Sequence, residues 1–306
     1  VRLVSFSNQM DTMVRPGLVE QGLVVDILQA NKLLELSVPD SVQAIIAEFA
    51  TVQGSLRHMA EAASQGKLSE ASYALHEVTL AAPIPRPQKN IMCLAVNYTE
   101  HAKETAALRE HGGKAPTQPV MFTKAPTTVN GPFGEIIIDP TVSEEIDWEV
   151  ELGVIIGQKG KNIREDEAMN YVFGYTVLND VTARDLQSRH KQFFKGKSLD
   201  GSCPMGPWIV TADEVRDPHN LALQLRVNGA VKQDSNTKQM IFSIPEMIAT
   251  LSLGMTLEPG DIIATGTPSG VGFSRVPPEF LRPGDIMESE IEGLGTLRNP
   301  VVSSQQ

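Results

Sequence analysis

Glu145-Ile146-Asp147-Trp148-Glu149-Val150-Glu151-Leu152, continuing apolar to Ile156, is the run from which the fold is read. Side chains on a strand alternate between two faces. Asp147, Glu149 and Glu151 therefore share one side, and Ile146, Trp148, Val150 and Leu152 pack on the other. Three neighbouring carboxylates repel one another unless something positive lies among them. A hard divalent cation with oxygen ligands resolves that repulsion. Water resolves it equally if the strand has one face in solvent. Both readings are open on this stretch alone.

Outward from this strand, other short β-type runs are punctuated by Gly and Pro: Asn90 to Val96, Pro119 to Phe122, Glu135 to Ile138, Tyr171 to Asn179, Trp208 to Thr211, Leu221 to Val227, Asp261 to Thr265 and Asp285 to Ile291. Beyond Pro87, Tyr98 to Arg109, Ile244 to Leu253 and the stretch after Asp180 are the best helix candidates. Runs of strands without regular strand–helix alternation argue a β-rich α+β fold. Further upstream, Val1 to Phe6 and Leu23 to Leu28 read as strands, and Ser41 to Phe49 and Gly54 to Ala63 as helices. Three prolines within Ala82-Pro83-Ile84-Pro85-Arg86-Pro87 force an extended segment. The boundary is placed there, with a small N-terminal α+β domain over 1–80 and a larger one over 81–306.

The 306 residues carry 26 Lys+Arg against 37 Asp+Glu, a formal charge of −11, which excludes nucleic-acid binding by bulk charge. Cys93 and Cys203, 110 residues apart and without CxxC spacing, offer neither a disulfide framework nor a zinc site. No stretch is apolar for long enough to span a membrane, and no signal-peptide pattern opens the chain. A cytoplasmic protein is expected, and Val1 leaves open how the chain begins.

Candidate chemistry lies in four further places. Asp180 ends the Tyr171–Asn179 strand and opens Asp180-Val181-Thr182-Ala183-Arg184-Asp185-Leu186-Gln187. It reads either as a delivered functional carboxylate, with Arg184 and Gln187 on its side of a helical turn, or as a helix cap. His101 and Glu104, three apart on a helix, outline a general-base pair; an exposed ion pair has the same spacing. Arg109 to Gln118, with Gly112-Gly113 and two prolines, has the composition of a lid. Gly196-Lys197-Ser198 lacks the upstream glycine of a phosphate loop, so nucleotide binding is rejected, while Thr265 to Gly272 reads as an anion-holding loop or a tight turn.

Asn97-Tyr98 with His101 and Glu104, Phe122-Thr123-Lys124, Glu149-Val150-Glu151-Leu152, Asn179 to Gln187, Gly196-Lys197-Ser198 and Thr265 to Gly272, in this order, resemble the fumarylacetoacetate hydrolase family, in its smaller acylpyruvase-like branch. The resemblance spans about residues 88 to 300 and implies a mixed β-sheet roll, usually in a homodimer. It implies Glu149, Glu151 and Asp180 as ligands of Mg2+ or Mn2+, with Asp147 not carried over. It further implies His101 and Glu104 as the lid pair and Lys197 as the active-site lysine. Lys195, two residues away, would share the strand face of Lys197. Arg184, Gln187 and Thr267 fall on positions that contact the metal site or the substrate.

The residue types suit a small-molecule oxo acid: a cation chelated by its carboxylate and keto oxygens stabilises an enolate. The main expectation is hydrolysis of a C–C bond in an acylpyruvate or related diketo acid, with Glu104 orienting His101 to activate water and Lys197 holding charge on the leaving enolate. Decarboxylation of oxaloacetate, keto–enol tautomerisation and isomerisation of a hydroxydienedioate pass through the same enolate and are the alternatives. A silent oxo-acid binding module is the non-enzyme alternative.

Overall fold

The structure, a computed structural model, describes residues 1–9, 11–107 and 116–304. Its organising strand is Val150–Ile156, buried along its whole length. It pairs antiparallel with Val172–Asn179 on one side and with Ile262–Ala264 on the other. Val150, Leu152 and Val154 point into one apolar cluster and Ile155 into another, so the pleat sorts the strand between two cores.

Among the described residues these strands belong to a twelve-stranded sheet. Its main path runs Ser72–Ala74, Leu23–Asp26, Arg15–Glu20, Arg2–Asn8, Cys203–Thr211, Val172–Asn179, Val150–Ile156, Ile262–Ala264, Ile91–Leu94, Met121–Lys124. On one face lie the helices Ile27–Leu34, Val42–Ala47 and Phe49–Ser64; Ile45, Ile46, Leu56 and Met59 pack against Ile155, Phe173, Leu178 and Ile209. On the other face lies a five-stranded sheet in the order Ala230–Asn236, Ala222–Val227, Ile286–Ile291, Gly295–Ser303, Ile136–Ile138. Leu223, Leu225, Met287 and Leu297 meet Leu152, Val154, Tyr175 and Val177 between the sheets. The protein is strand-rich α+β, built as helices, long sheet and second sheet in three layers.

Residues 1–80 and 81–306 share this architecture closely. Arg2–Asn8 hydrogen-bonds to Cys203–Thr211, with Arg2 opposite Val210, and the N-terminal helices share their core with the central strands. The proline segment lies against that core: Ala82 and Ile84 are buried, and Ser5 Oγ donates to Pro83 O at 2.7 Å.

Two local expectations change. Glu145–Ile156 is not one strand: Ile146–Asp147 pairs with Thr182–Ala183, and the long strand starts afresh at Val150. Asp147 turns back to accept from Trp148 N, which breaks the ladder. The strand expected over Leu23 to Leu28 stops at Asp26, because that carboxylate accepts from Leu28 N and Gln29 N and so caps a helix. The helix expected over Tyr98 to Arg109 is described over Thr99–Ala107, and the rest of it and most of the expected lid from Arg109 to Gln118 lie outside the described residues. No helix among the described residues is long and apolar enough to cross a membrane.

Candidate metal centre and its cavity

Strand register assembles the acidic cluster. Val150 lies opposite Asn179, so antiparallel pairing sets Glu149 beside Asp180, and Asp180 N donates to Glu149 O at 2.8 Å. Glu151, two residues along, returns to the same face. Glu149, Glu151 and Asp180 each offer an oxygen within 4.8 Å of the others, and all three residues are buried. The half-exposed strand allowed by the sequence is thereby excluded: Asp147, Glu149 and Glu151 are 0%, 5% and 1% exposed.

Cations hold most of this charge. Lys197 Nζ lies 2.7 Å from both Glu149 Oε2 and Asp180 Oδ2, and Lys124 Nζ lies 2.8 Å from Asp180 Oδ1. Arg184 bridges Glu149 Oε1 at 2.6 Å and Asp147 Oδ2 at 2.8 Å. Burial disfavours the charge on Lys197, but Asp180 and Glu149 outweigh it and raise its pKa. Burial likewise opposes ionisation of Glu149, and Lys197 and Arg184 prevail, holding its carboxyl well below the usual range. Glu151 goes the other way, pushed well up by burial and then by the charges of Asp180 and Glu149.

Glu151 is where the site is open. Its Oε2 accepts from Gly266 N at 2.8 Å, while its buried Oε1 has no hydrogen-bond partner among the described residues. Four carboxylates, counting Asp147, face Lys124, Arg184 and Lys197. A buried acid without a partner is costly. An all-oxygen donor set around that orphaned atom fits a hard dication such as Mg2+ or Mn2+.

Lys197 reaches this position from a short helix, Phe194–Lys197, rather than from the expected strand, so Lys195 does not share its face: Lys195 is exposed and Lys197 buried. A Cβ on Gly196 would sit 2.6 Å from Gln187 N and 2.7 Å from Ala183 O. The glycine of Gly-Lys-Ser therefore serves close packing against the helix Arg184–His190.

The loop from Thr265 does bind anions, but they are the chain's own. Besides Gly266, Gly270 N donates to Glu104 Oε1 at 3.0 Å, and Gly272 N and Phe273 N donate to Asp147 at 2.7 and 3.0 Å. Gly266 turns with φ +96, a conformation L side chains rarely adopt, and so aims its N–H at Glu151. Glu104 also accepts from Ser274 Oγ and meets His101 Nδ1 at 3.0 Å. Burial opposes its ionisation, yet those hydrogen bonds from His101, Ser274 and Gly270 keep its pKa below the ordinary value.

A cavity of about 330 Å³ opens beside the cluster, lined by His101, Glu149, Arg184, Gln187 and Lys197 and walled by Phe122, Phe193 and Phe273. The structure thus brings together His101, Glu104, Lys197, Arg184, Gln187, Glu149, Glu151 and Asp180. Thr267 does not line this cavity. Its hydroxyl donates to Val150 O and accepts from Gln233 Nε2, so it braces the metal strand.

Sequence reasoning did not single out Lys124 as a site residue. The signal was its place two residues after Phe122 on one strand face. Gln233, whose Oε1 accepts from Val150 N, and Asn179, whose Oδ1 accepts from Glu149 N, were also missed. They fix the backbone from which both glutamates project.

The same fold recurs among known proteins. Residues 90–302 match the family model described as Fumarylacetoacetate (FAA) hydrolase C-terminal. Oxaloacetate tautomerase YisK of Bacillus subtilis (strain 168) is 47% identical over 289 residues, covering 93% of this chain and 94% of that protein. The mitochondrial oxaloacetate tautomerase FAHD2A of Homo sapiens is 48% identical over 228 residues, 74% of this chain and 70% of that one. The solved maleylpyruvate hydrolase from Sphingobium sp. SYK-6, in complex with manganese (II) ion and pyruvate, superposes with TM-score 0.78 at 32% identity over 100% of both chains. With matched sequence across the cluster-bearing strands and matched structure across the whole chain, this protein belongs to the fumarylacetoacetate hydrolase family.

Proposed function

We propose that this chain is a divalent-metal-dependent tautomerase interconverting the keto and enol forms of oxaloacetate. The observation that carries the reading is the identity of 47% across nearly the full length of an oxaloacetate tautomerase. It favours the tautomerase alternative over the hydrolase first expected. The His–Glu pair had suggested water activation, but a positioned imidazole serves any proton transfer, whether or not water attacks.

Glu149, Glu151 and Asp180 would hold Mg2+ or Mn2+, which when bound supplies a Lewis acid for the carboxylate and keto oxygens of a 2-oxo acid. Lys124 and Arg184 fix two of those carboxylates in place, Asp180 and Glu149 respectively. Glu104 engages His101 Nδ1 and so orients the imidazole, which lines the cavity and is the proton-transfer group. His101 takes the proton from the carbon of the keto form and returns it to the enolate oxygen, or the reverse, while Lys197 and Arg184 offset charge at that oxygen. Enol and keto forms differ by one proton's position, so no water is consumed.

The test follows enol decay in ultraviolet absorbance, with Mg2+ or Mn2+ and with chelator, alongside pyruvate release from oxaloacetate and acylpyruvate cleavage. Cation-dependent acceleration of enol decay is expected, falling roughly 10²–10⁴-fold in His101→Ala, as positioned acid–base catalysis contributes. No acceleration, with clear acylpyruvate cleavage, would replace the reading by the hydrolytic one. That second reading has specific support in the maleylpyruvate hydrolase likeness. A homodimer belongs to the proposal, supported by exposed Phe133 and by Ile137 at the Ile136–Ile138 edge strand; a single-chain mass by light scattering would remove it.

A further inference from the structure

Arg184, Gln187, Ser188 and Lys191 recur at spacings of three and four along the helix Arg184–His190 and its C-cap, and all four line the cavity. Arg184 ends this stripe at the acidic cluster, where it is paired. Lys191 ends it at the exposed rim, about 10 Å further along the axis at ~1.5 Å per residue.

Among the cavity's cations, Arg184 and Lys197 are each engaged by two carboxylates. Lys191 has no ion pair among the described residues. Its backbone is unusual for a side-chain-bearing residue, with φ 59 and ψ −33, and Gln192 N donates to His190 O at 2.6 Å across it. This approximates the γ-turn of the rare, strained hand. Such strain persists where surroundings enforce it, and it concentrates at ligand clamps. Here the turn stops the helix, and two residues later Phe193 stands edge-on to Phe122, ring centres 5.5 Å apart. The cavity consequently has a chelating end, aromatic walls and a cationic rim.

We propose that Lys191 receives the distal carboxylate of a dicarboxylic 2-oxo acid and so selects dicarboxylates over substrates with a neutral tail. This rests on the tautomerase reading for the orientation of the near end. A four-carbon dicarboxylic 2-oxo acid has a carboxylate–keto end, one methylene and a distal carboxylate, which follows the order of the cavity, and a four-carbon lysine stem makes up the remaining reach. A neutral acyl tail would leave the ammonium without a counter-charge.

The experiment measures calorimetric affinity of the cation-loaded protein for two ligands that cannot enolise: difluoro-oxaloacetate, a dicarboxylate, and trimethylpyruvate, a monocarboxylate. Lys191→Gln should weaken the first by about tenfold, the scale of a rim charge-assisted hydrogen bond, and leave the second within about twofold. Lys191→Arg should restore the first. Lys195→Gln, the same charge change at a nearby exposed lysine, should alter neither. Equal weakening of both ligands would show that Lys191 shapes the loop, and an unchanged dicarboxylate affinity would show that the carboxylate is held elsewhere; either overturns the proposal. Absence of oxaloacetate turnover in the wild type, with both ligands bound, would overturn the tautomerase reading while the affinity ratio still decides the role of Lys191.

Discussion

In residues 1–80, Asp26 is buried against Arg15 at 2.6 Å and also accepts from Leu28 N and Gln29 N. Arg15 in turn donates to backbone oxygens of Asp11 and Met13 and stacks over Phe6, 4.6 Å from the ring centre. In residues 81–306, Glu149, Glu151 and Asp180 are equally buried, but Glu151 keeps an oxygen with no partner among the described residues and has an abnormally high pKa. The first arrangement is complete within the chain. The second leaves one carboxylate oxygen for which the described residues supply no hydrogen-bond partner, within a donor set that could hold a metal ion. Burial alone therefore does not distinguish structural from functional acids; the unmet oxygen does.

Substitution should give opposite signs in the two regions. Asp26→Ala leaves the buried Arg15 guanidinium with only the exposed Asp11 carboxylate, at 3.6 Å, and breaking one side of a buried pair costs about 3–5 kcal/mol. Glu151→Gln removes a carboxyl whose ionised form is disfavoured by burial and by the charges of Asp180 and Glu149, so the metal-free protein should keep or gain stability. The same variant should lose the rise in unfolding midpoint that Mg2+ or Mn2+ gives the wild type, a rise of about 2.7 kcal/mol at a hundredfold excess over Kd. Denaturant unfolding with and without cation measures both. If metal-free Glu151→Gln falls as far as Asp26→Ala, the contrast fails and Glu151 is a structural charge.

The sequence made the open acids legible and the supports illegible, for a physical reason. Glu149 and Glu151 follow from a two-residue period, and Asp180 from its place after a strand. Lys197 was marked by the Gly-Lys-Ser resemblance, although its strand setting was wrong: the Gly196 contact with Gln187 and Ala183 depends on helix packing that no local pattern contains. Lys124, Gln233 and Asn179 reach the cluster by pairings 30 to 83 residues distant in sequence. The interruption at Trp148 and Glu149 was hidden because Asp147 bonds to a loop 125 residues away. The fold class was readable, as was the grouping of Glu149, Glu151 and Asp180, whereas the choice of reaction was not. Residue types common to hydrolysis and tautomerisation cannot separate them.

Those distant supports sharpen the comparison at a smaller scale. Gln233 ties Val150 N to Thr267 Oγ1 and Pro268 O, clamping the backbone between the two glutamates. Gln233→Leu keeps roughly the volume and removes the clamp. Metal affinity should fall about 10–100-fold, as for other outer supports of ligand residues, without loss of folding. Calorimetry with Mn2+ reads this directly. Unchanged affinity would mean that strand register alone sets the ligand geometry.

His219 lies between the two cases, half-buried and closed by one bond. Its Nε2 accepts from Ile244 N at 3.1 Å, at the start of the helix Ile244–Ser252, so the neutral ring is required. Burial lowers its pKa, and the neighbouring Asp217 only partly offsets this. With the folded value below the unfolded one, the unfolded chain takes up the proton first as pH falls. The stabilising contribution is therefore complete above the unfolded pKa of about 6.5 and declines below it until the folded ring also protonates. Because the ring is partly solvated, the loss should be on the order of a few tenths of a kcal/mol. His219→Gln removes the titration, so the difference in stability between wild type and variant should shift by that amount between about pH 7 and pH 5, while metal affinity is unaffected. Parallel stability profiles across that interval would show that the ring's acceptor bond to Ile244 does not govern this end of the helix.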